Sequence, residues 1–394
     1  MPASRKVLFI SPQPFFAWRG SPIRVKFNLL ALENLGYDVD LLTLPIGEPE
    51  KSVNARIIRV WNVFGSRQIS IGPSPLKLWF DLLLLIKGTQ LVLSNSYEVI
   101  HGTEEAGFIS WILSKLCKAK VIYEKHSDPG SHKKGVLINL LLSVYRRVEN
   151  FTARKADVVI GTGPGLVDQI KAADPAANAH HISDIPSSLS DPGHQEIEER
   201  SCELKSKDSE VLITYVGSFA SYQGMDIIEE AIPIVLRESA ISQFLIIGGN
   251  EQEIDQFKQT LLGAGINEEQ LKKVNFAGKI PPDELPAYLS ASDVLMVPRK
   301  TGINTPLKVL DYFKAGSAIV ATDTIANRLL LDEDTAELSQ TTGADFARCI
   351  LSLVENEERR TTLGKNGRKM FETEYNFDVF SEKLGDAYRT IFPE

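Results

Sequence analysis

Cysteine is scarce in this chain: three residues in 394, Cys117, Cys202 and Cys349, far apart in sequence. Neither the paired spacing of a zinc site nor the even count of a disulfide framework is present, so a reducing, cytoplasmic setting is expected. Long apolar runs are missing too. The most apolar stretch, residues 76–86 (LKLWFDLLLLI), falls well short of the roughly 20 residues that a membrane span needs and contains Asp81, so a buried helix is expected there. The N-terminal VLFI is too short for a secretory signal and reads as a first strand. The chain contains no G-x-x-x-x-G-K-[ST] loop and no G-x-G-x-x-G after that strand, which argues against an NTPase and a simple dehydrogenase. The Asp-x-Asp triplets, Asp38 with Asp40 and Asp332 with Asp334, fall in an expected strand and after the main motif; no metal is expected. No cofactor and no nucleic-acid partner are expected either.

What is present is the composition of a soluble globular protein, 43% hydrophobic and 24% charged, at a length that implies two domains. The net charge of −8 is uneven: the front half is basic on balance and the back half acidic. Strand-like runs at 7–11, 39–44, 99–101, 121–124 and 158–161 alternate with helical stretches, which implies an α/β domain with a parallel sheet covered by helices. Residues 188–209 turn polar and lose periodicity, as a linker does. A second alternating series follows, with strands at 211–216, 244–247, 274–276, 294–297 and 318–321. The expected organisation is a Rossmann-like domain over 1–187, a linker over 188–209, a second Rossmann-like domain over 210–375 and a closing helix over 376–394 packed back on the first domain. Two facing doubly wound domains enclose an interdomain cleft, and in such sheets ligands bind beyond the carboxyl ends of the strands.

Three loops could carry chemistry. In TYVGSFASYQGMDIIEEAI, Gly217 and Gly224 frame a strand-to-helix turn whose amides could approach an anion. In VLMVPRKTGINTPLKVLDYFKAGSAIVATD, Thr305 and Pro306 read as the N-cap and first residue of a helix, a seat for a phosphate. Lys308 stands one turn in, Arg299 and Lys300 add charge, and Asp311 lies on nearly the same face, able to accept from ribose hydroxyls. The plain alternative is a Lys308–Asp311 surface pair. In YEKHSDPGSH, a strand empties into a loop with His126, Asp128 and His132, and Glu104 and Glu105 hold the equivalent place one unit earlier. Two consecutive residues rarely face the same way, so at most one of these glutamates is expected to act. Separately, residues 135–155 (GVLINLLLSVYRRVENFTARK) are apolar and helical, with Arg146, Arg147, Arg154 and Lys155 near their end. Such a segment suits peripheral contact with the inner face of a membrane, although a core helix with a solvated basic end explains the same residues.

Over nearly the whole chain these residues resemble the family-four retaining glycosyltransferases of the GT-B fold. RGSPIRVKFNLLALENLGYDVDLLT looks like that family's first glycine loop and helix, VIYEKHS like its strand ending in an active-site histidine, and YVGSFASYQGMDIIEEAI like the loop opening its donor domain. FAGKIPPDELPAYLSASDVLMVP and TPLKVLDYFKAGSAIVATD look like its base-binding turn and phosphate helix. The resemblance implies metal-independent transfer from a nucleotide-diphosphate sugar, with retained anomeric configuration, to a glycan, lipid or small-molecule acceptor. It places the donor in the C-terminal domain and the acceptor mainly in the N-terminal one. His126, Lys308 and Arg299 become the catalytic candidates. Gly20, Ser21, Gly217, Ser218, Gln223, Gly278, Lys279, Ile280, Asn304, Thr305, Pro306, Leu307 and Asp311 become donor-binding candidates, and Glu104 or Glu105 acceptor-binding ones. Two departures stand out. Ser218 and Gln223 replace an arginine and lysine that many members bring to the diphosphate, and Ile303 falls where a glutamate is usual. A non-catalytic nucleotide-sugar-binding protein and a sugar-nucleotide epimerase are the competing readings of the same fold.

Overall fold

The computed structural model describes residues 5–62, 65, 74–127, 136–205, 207, 210–301 and 305–392. It divides into two compact units, Met1–Asp184 with Phe377–Glu394, and Ile185–Asn376. The first unit runs β1 (Lys6–Ser11), α1 (Gly20–Asn34), β2 (Asp38–Thr43), β3 (Arg56–Arg59), α2 (Pro75–Ser94), β4 (Val99–Thr103), α3 (Ala106–Cys117), β5 (Lys120–Lys125), α4 (Val136–Lys155), β6 (Val158–Gly161), α5 (Pro164–Ala173) and β7 (Ala179–His181). The second runs α6 (His194–Leu204), β8 (Val211–Val216), α7 (Met225–Glu238), β9 (Ser242–Ile247), α8 (Glu251–Gly263), α9 (Glu268–Leu271), β10 (Val274–Gly278), α10 (Leu285–Ser290), β11 (Val294–Val297), α11 (Lys308–Ala315), β12 (Ala318–Thr322), β13 (Glu337–Ser339), α12 (Gly343–Glu355) and α13 (Glu357–Glu374). The last helix, α14 (Phe377–Arg389), belongs to the first unit.

Strands such as β4, β6 and β11 are buried at every residue, as strands covered by helices on both faces must be, and they pair in parallel. The sheet orders are β3-β2-β1-β4-β5-β6-β7 and β10-β9-β8-β11-β12-β13. Each order reverses once, between β1 and β4 and between β8 and β11. At such a switch point neighbouring strands send their loops to opposite faces and leave a crevice at their carboxyl ends. The reversal therefore marks, in each unit, where a ligand fits. In the second unit α7 and α12 close one face of the sheet, with Ile228, Ile232, Phe346 and Ile350 fully buried, and α11 closes the other with Tyr312 and Phe313.

Two expectations change. The segment read as a linker contains α6, a helix with no buried residue, held by Arg200 lying 4.2 Å over the Tyr288 ring. It lacks an apolar stripe because it rests on the surface of the second unit. The apolar run at 76–86, expected to be a buried helix, is buried on one side only: Phe80, Leu83 and Leu84 point into the core, while Leu78, Leu82 and Ile86 are exposed. Helix α14 packs against α1, with the Phe27 and Phe377 rings 6.3 Å apart and the Tyr388 hydroxyl 2.9 Å from His101 Nδ1.

Candidate functional site

In the second unit the loops leaving β8 and β11 converge on Lys308. Helix α11 begins at this residue, with Leu307 and not Thr305 at the N-cap position and no side-chain cap. The chain enters the helix by a tight turn in which Pro306 and Leu307 carbonyls accept from Val309 and Leu310 at 2.9 and 3.0 Å. Thr305 and Pro306 thus precede the helix, because three-residue hydrogen bonds replace the first α-turn. The Lys308 ammonium lies 4.5 Å over the Tyr215 ring and donates to Gln223 Oε1 at 3.2 Å. Burial, and then the neighbouring Arg299 charge, push its pKa down to about 7. The expected alternative of a Lys308–Asp311 pair is not what forms.

Close approach explains the glycines here. Gly217 has φ +152°, and a Cβ on it would lie 2.7 Å from Lys308 Nζ and 2.8 Å from the Tyr215 hydroxyl, which itself donates to the Ser218 carbonyl. Gly248, after β9, has φ +124° and would place a Cβ 1.9 Å from the Gly217 carbonyl oxygen. The Gly248–Gly249 pair was missed in the sequence, although an apolar strand followed by GGN and the capping box of α8 was a legible signal. Gly278 closes β10 and its carbonyl accepts from Gly248 N–H at 2.7 Å; Lys279 after it is exposed and Ile280 partly buried. Arg299 donates from Nε to the Thr301 carbonyl at 2.9 Å and sits 5.9 Å over the Tyr222 ring. Lys300 differs from expectation: it forms an ion pair with Asp226 at 2.6 Å, so its charge is already offset.

Asp311 sits on α11 but is engaged elsewhere. Its Oδ1 accepts from Ser187 N–H at 2.6 Å and from the Ser187 hydroxyl at 2.9 Å, and burial raises its pKa to about 6. Lys314, one turn on, donates to the Ser188 and Ser190 carbonyls. Asp311 and Lys314 together clasp residues 187–190. Asn304, with Ile303, Asp128 and His132, lies outside the described residues.

In the first unit the site centres on Glu124, which the sequence reading passed over. Its carboxylate, near the end of β5 and fully buried, accepts from Arg24 Nε and from Asn28 Nδ2 at 2.8 Å, both on α1 four residues apart, and contacts His101 Nε2 at 3.0 Å. His126 Nε2 stands 3.4 Å from the same carboxylate. Burial would raise the Glu124 pKa, yet Arg24 and His126 beside it hold it well below the usual carboxylate range. For His126, burial favours the neutral ring but Glu124 outweighs it and the pKa is raised. Arg24 also bonds Asp184 at 3.0 Å.

Among the buried polar atoms without a hydrogen-bond partner in the protein are Ser11 Oγ at the end of β1, Thr103 Oγ1 at the end of β4 and Glu104 Oε2 just after it, and both ring nitrogens of His126 just after β5. Such groups are rare in folded proteins, and these four residues stand at the carboxyl ends of the neighbouring strands β1, β4 and β5, the first two of which flank the switch point. Gly20 and Ser21 open α1, the helix that carries Arg24 and Asn28. The two glutamates diverge. Glu104, at φ +50°, accepts from the Ser127 hydroxyl at 2.8 Å and its pKa is raised by burial, whereas Glu105 pairs with Lys77 and accepts from Tyr145 at 3.0 Å. Among the described residues no group of three or more His, Cys, Asp or Glu side chains is placed to hold a metal ion.

Comparison with known proteins extends over both units. A family model described as "Glycosyl transferases group 1" matches residues 210–356, and one described as "Glycosyl transferase 4-like domain" matches residues 25–183. An uncharacterized glycosyltransferase of Methanocaldococcus jannaschii is 24% identical over 72% of this chain and 71% of its own length. The sulfoquinovosyl transferase SQD2 of Arabidopsis thaliana is 21% identical over 96% of this chain and 72% of its own length. Among solved structures, HepE of Anabaena in complex with UDP superposes with a TM-score of 0.72 at 12% identity, covering 98% of this chain and all of that one. Two Rossmann-like units of this kind constitute the GT-B fold.

Proposed function

We propose a division of labour for a chain that belongs to the group 1 glycosyltransferases and transfers sugar from a nucleotide-sugar donor: the C-terminal unit holds the nucleotide diphosphate, and the N-terminal unit presents the sugar and acceptor groups. The observation that carries this reading is Lys308. Its ammonium is enclosed by the neutral Gln223 amide and the Tyr215 ring, beside a second cation, Arg299, and burial leaves it poorly stabilised until an anion arrives. A diphosphate accepts from Lys308 and Arg299 and from backbone N–H groups at Ser218 and Thr305, while the Gly217 N–H stays bonded to the Ile247 carbonyl at 3.0 Å and its lack of a Cβ leaves room for the ligand. Gly278, Lys279 and Ile280 meet the base through main-chain groups. Asp311 takes the ribose hydroxyls in exchange for Ser187.

During transfer the bond from the anomeric carbon to the diphosphate oxygen breaks, negative charge grows on the departing nucleotide, and the acceptor hydroxyl passes its proton to the departing diphosphate oxygen as the new glycosidic bond forms. Lys308 and Arg299 meet that charge without a metal, a contribution on the order of 10² to 10³ in rate for one such contact. His126 hydrogen-bonds a hydroxyl of the transferred sugar, Gly20 and Ser21 lie by the diphosphate, and Glu104, with its unpartnered oxygen, accepts from an acceptor hydroxyl. The reading includes retention of anomeric configuration. Thermal-shift measurement with UDP, GDP and ADP tests it: one of them raises the melting temperature of the wild-type protein and leaves that of Lys308→Ala unchanged. No shift with any of the three sinks the reading.

A further inference from the structure

Helix α2 carries an apolar stripe on the side turned away from the core. Leu78, Leu82 and Ile86 recur every four residues and are 67%, 45% and 41% exposed, and Leu93 continues the stripe two turns later. Nearby, Trp61 is exposed with the Lys87 ammonium 5.7 Å over its ring, an apolar body with a charged tip above it. An exposed run of leucine and isoleucine on a soluble unit is a cost that calls for a covering surface.

The helices beside α2 say what kind of surface. Helix α3 packs against both α2 and α4. The three carry seven cationic residues, Lys77, Lys87, Lys115, Arg146, Arg147, Arg154 and Lys155, and two acidic ones. Neither acid balances them outside: Glu149 is buried against Lys125, and Asp81 has an oxygen fully buried beneath α2; Lys77 is taken up by Glu105 just before α3, so the positive excess of the layer rests on the other six. The layer is thus apolar along one helix and cationic along its flank. A second copy of this chain docked face to face would set cation against cation. A water-soluble acidic partner would have no need of the leucine stripe. Among the described residues no helix is long and apolar enough to cross a membrane, so the stripe lies on a surface and does not span it.

We propose that the α2–α3–α4 layer of the N-terminal unit docks on an anionic lipid bilayer, with Leu78, Leu82 and Ile86 entering the interface and Lys115, Arg146 and Arg147 facing the lipid phosphates. Insertion is carried by α2, and the basic end of α4 supplies attraction; this separates the two roles that residues 135–155 alone were expected to combine. The docking is independent of sugar transfer, since none of these side chains belongs to the site described above. Interfacial helices combine in this way a buried apolar face and a cationic flank.

The test is co-sedimentation of the full-length protein with vesicles of phosphatidylcholine alone and of phosphatidylcholine with about one quarter phosphatidylglycerol, at low and raised salt. The expected result is binding to the anionic vesicles that weakens with salt, and little binding to the neutral ones. Leu82→Glu with Ile86→Glu lowers the bound fraction at least tenfold, as does Arg146→Glu with Arg147→Glu, and both variants keep the wild-type circular dichroism and nucleotide-induced melting shift. Should the first pair fail to fold, Leu82→Ser with Ile86→Ser takes its place. The proposal is overturned if wild-type protein stays in the supernatant with anionic vesicles at low salt, if it binds neutral vesicles equally well, or if the stripe variants bind undiminished. Light scattering that shows a dimer dissolved by the stripe substitutions, with no vesicle binding, assigns the stripe to self-association and also overturns it. Loss of the nucleotide shift in wild type bears on the transferase reading and leaves the vesicle result standing.

Discussion

Lys308 and Glu124 are opposite solutions to the burial of a charge. Glu124 is surrounded by Arg24, Asn28 and two histidines, and stays ionised at the cost of a fixed network. Lys308 is left with a neutral partner and a pKa of about 7, which makes its charge conditional on pH and ligand. An anion binds the protonated form, so nucleotide affinity is level below about pH 7 and falls with rising pH, by up to about tenfold per unit, until the bound-state pKa is reached. Isothermal titration across pH 6–9 checks this; affinity independent of pH would exclude Lys308 as the diphosphate ligand. Glu124→Gln has the reverse character. It keeps the shape but leaves the buried Arg24 with Asp184 as its remaining counter-charge, and we expect a loss of up to about 3 kcal/mol in chemical denaturation. It also removes what raises the His126 pKa: the imidazolium form, retained to higher pH in wild type than in an unfolded chain, gives way at lower pH in the variant. Imidazole NMR titration reads that midpoint directly.

Helices and loops set where these side chains stand. The entry to α11 is a tight turn through Pro306, so Thr305 contributes no cap, whereas Thr342 opens α12 with its hydroxyl accepting from Asp345 N–H. Thr342→Ala is therefore expected to cost about 1 kcal/mol and Thr305→Ala under about 0.5 kcal/mol in thermal unfolding. Equal losses would restore Thr305 as a cap. At this scale the long strands were legible because full burial writes them as continuous apolar runs, for example VLFI in β1 and VLMV in β11. The short edge strands were not: RIIR in β3, AHH in β7 and ELS in β13 are half-solvated, and no period of two survives in three or four residues. Helix α6 escaped for the same kind of reason, a helix with nothing buried having no stripe to read.

For the molecule as a whole, the closing helix is part of the first unit's core. Phe380, Leu384 and Tyr388 are buried, Arg24 lies 5.2 Å over the Phe380 ring, and Tyr388 holds His101. Ending the chain after Asn376 is expected to unfold or aggregate the N-terminal unit, while residues 185–376 retain a cooperative transition of their own in calorimetry. A truncated chain with an intact N-terminal transition would show α14 to be dispensable. By itself, the amino-acid sequence determined the alternation of strands and helices, the two-domain plan and the loops around Gly217, Lys308 and His126, because burial period and loop chemistry are local properties. Only the tertiary structure decided that Asp311 is held by Ser187, that Lys300 is neutralised by Asp226 and that Glu124 ties α1, β4 and β5 together. Those partners lie 124, 74 and up to 100 residues apart, and no local pattern encodes which distant group will meet a buried charge.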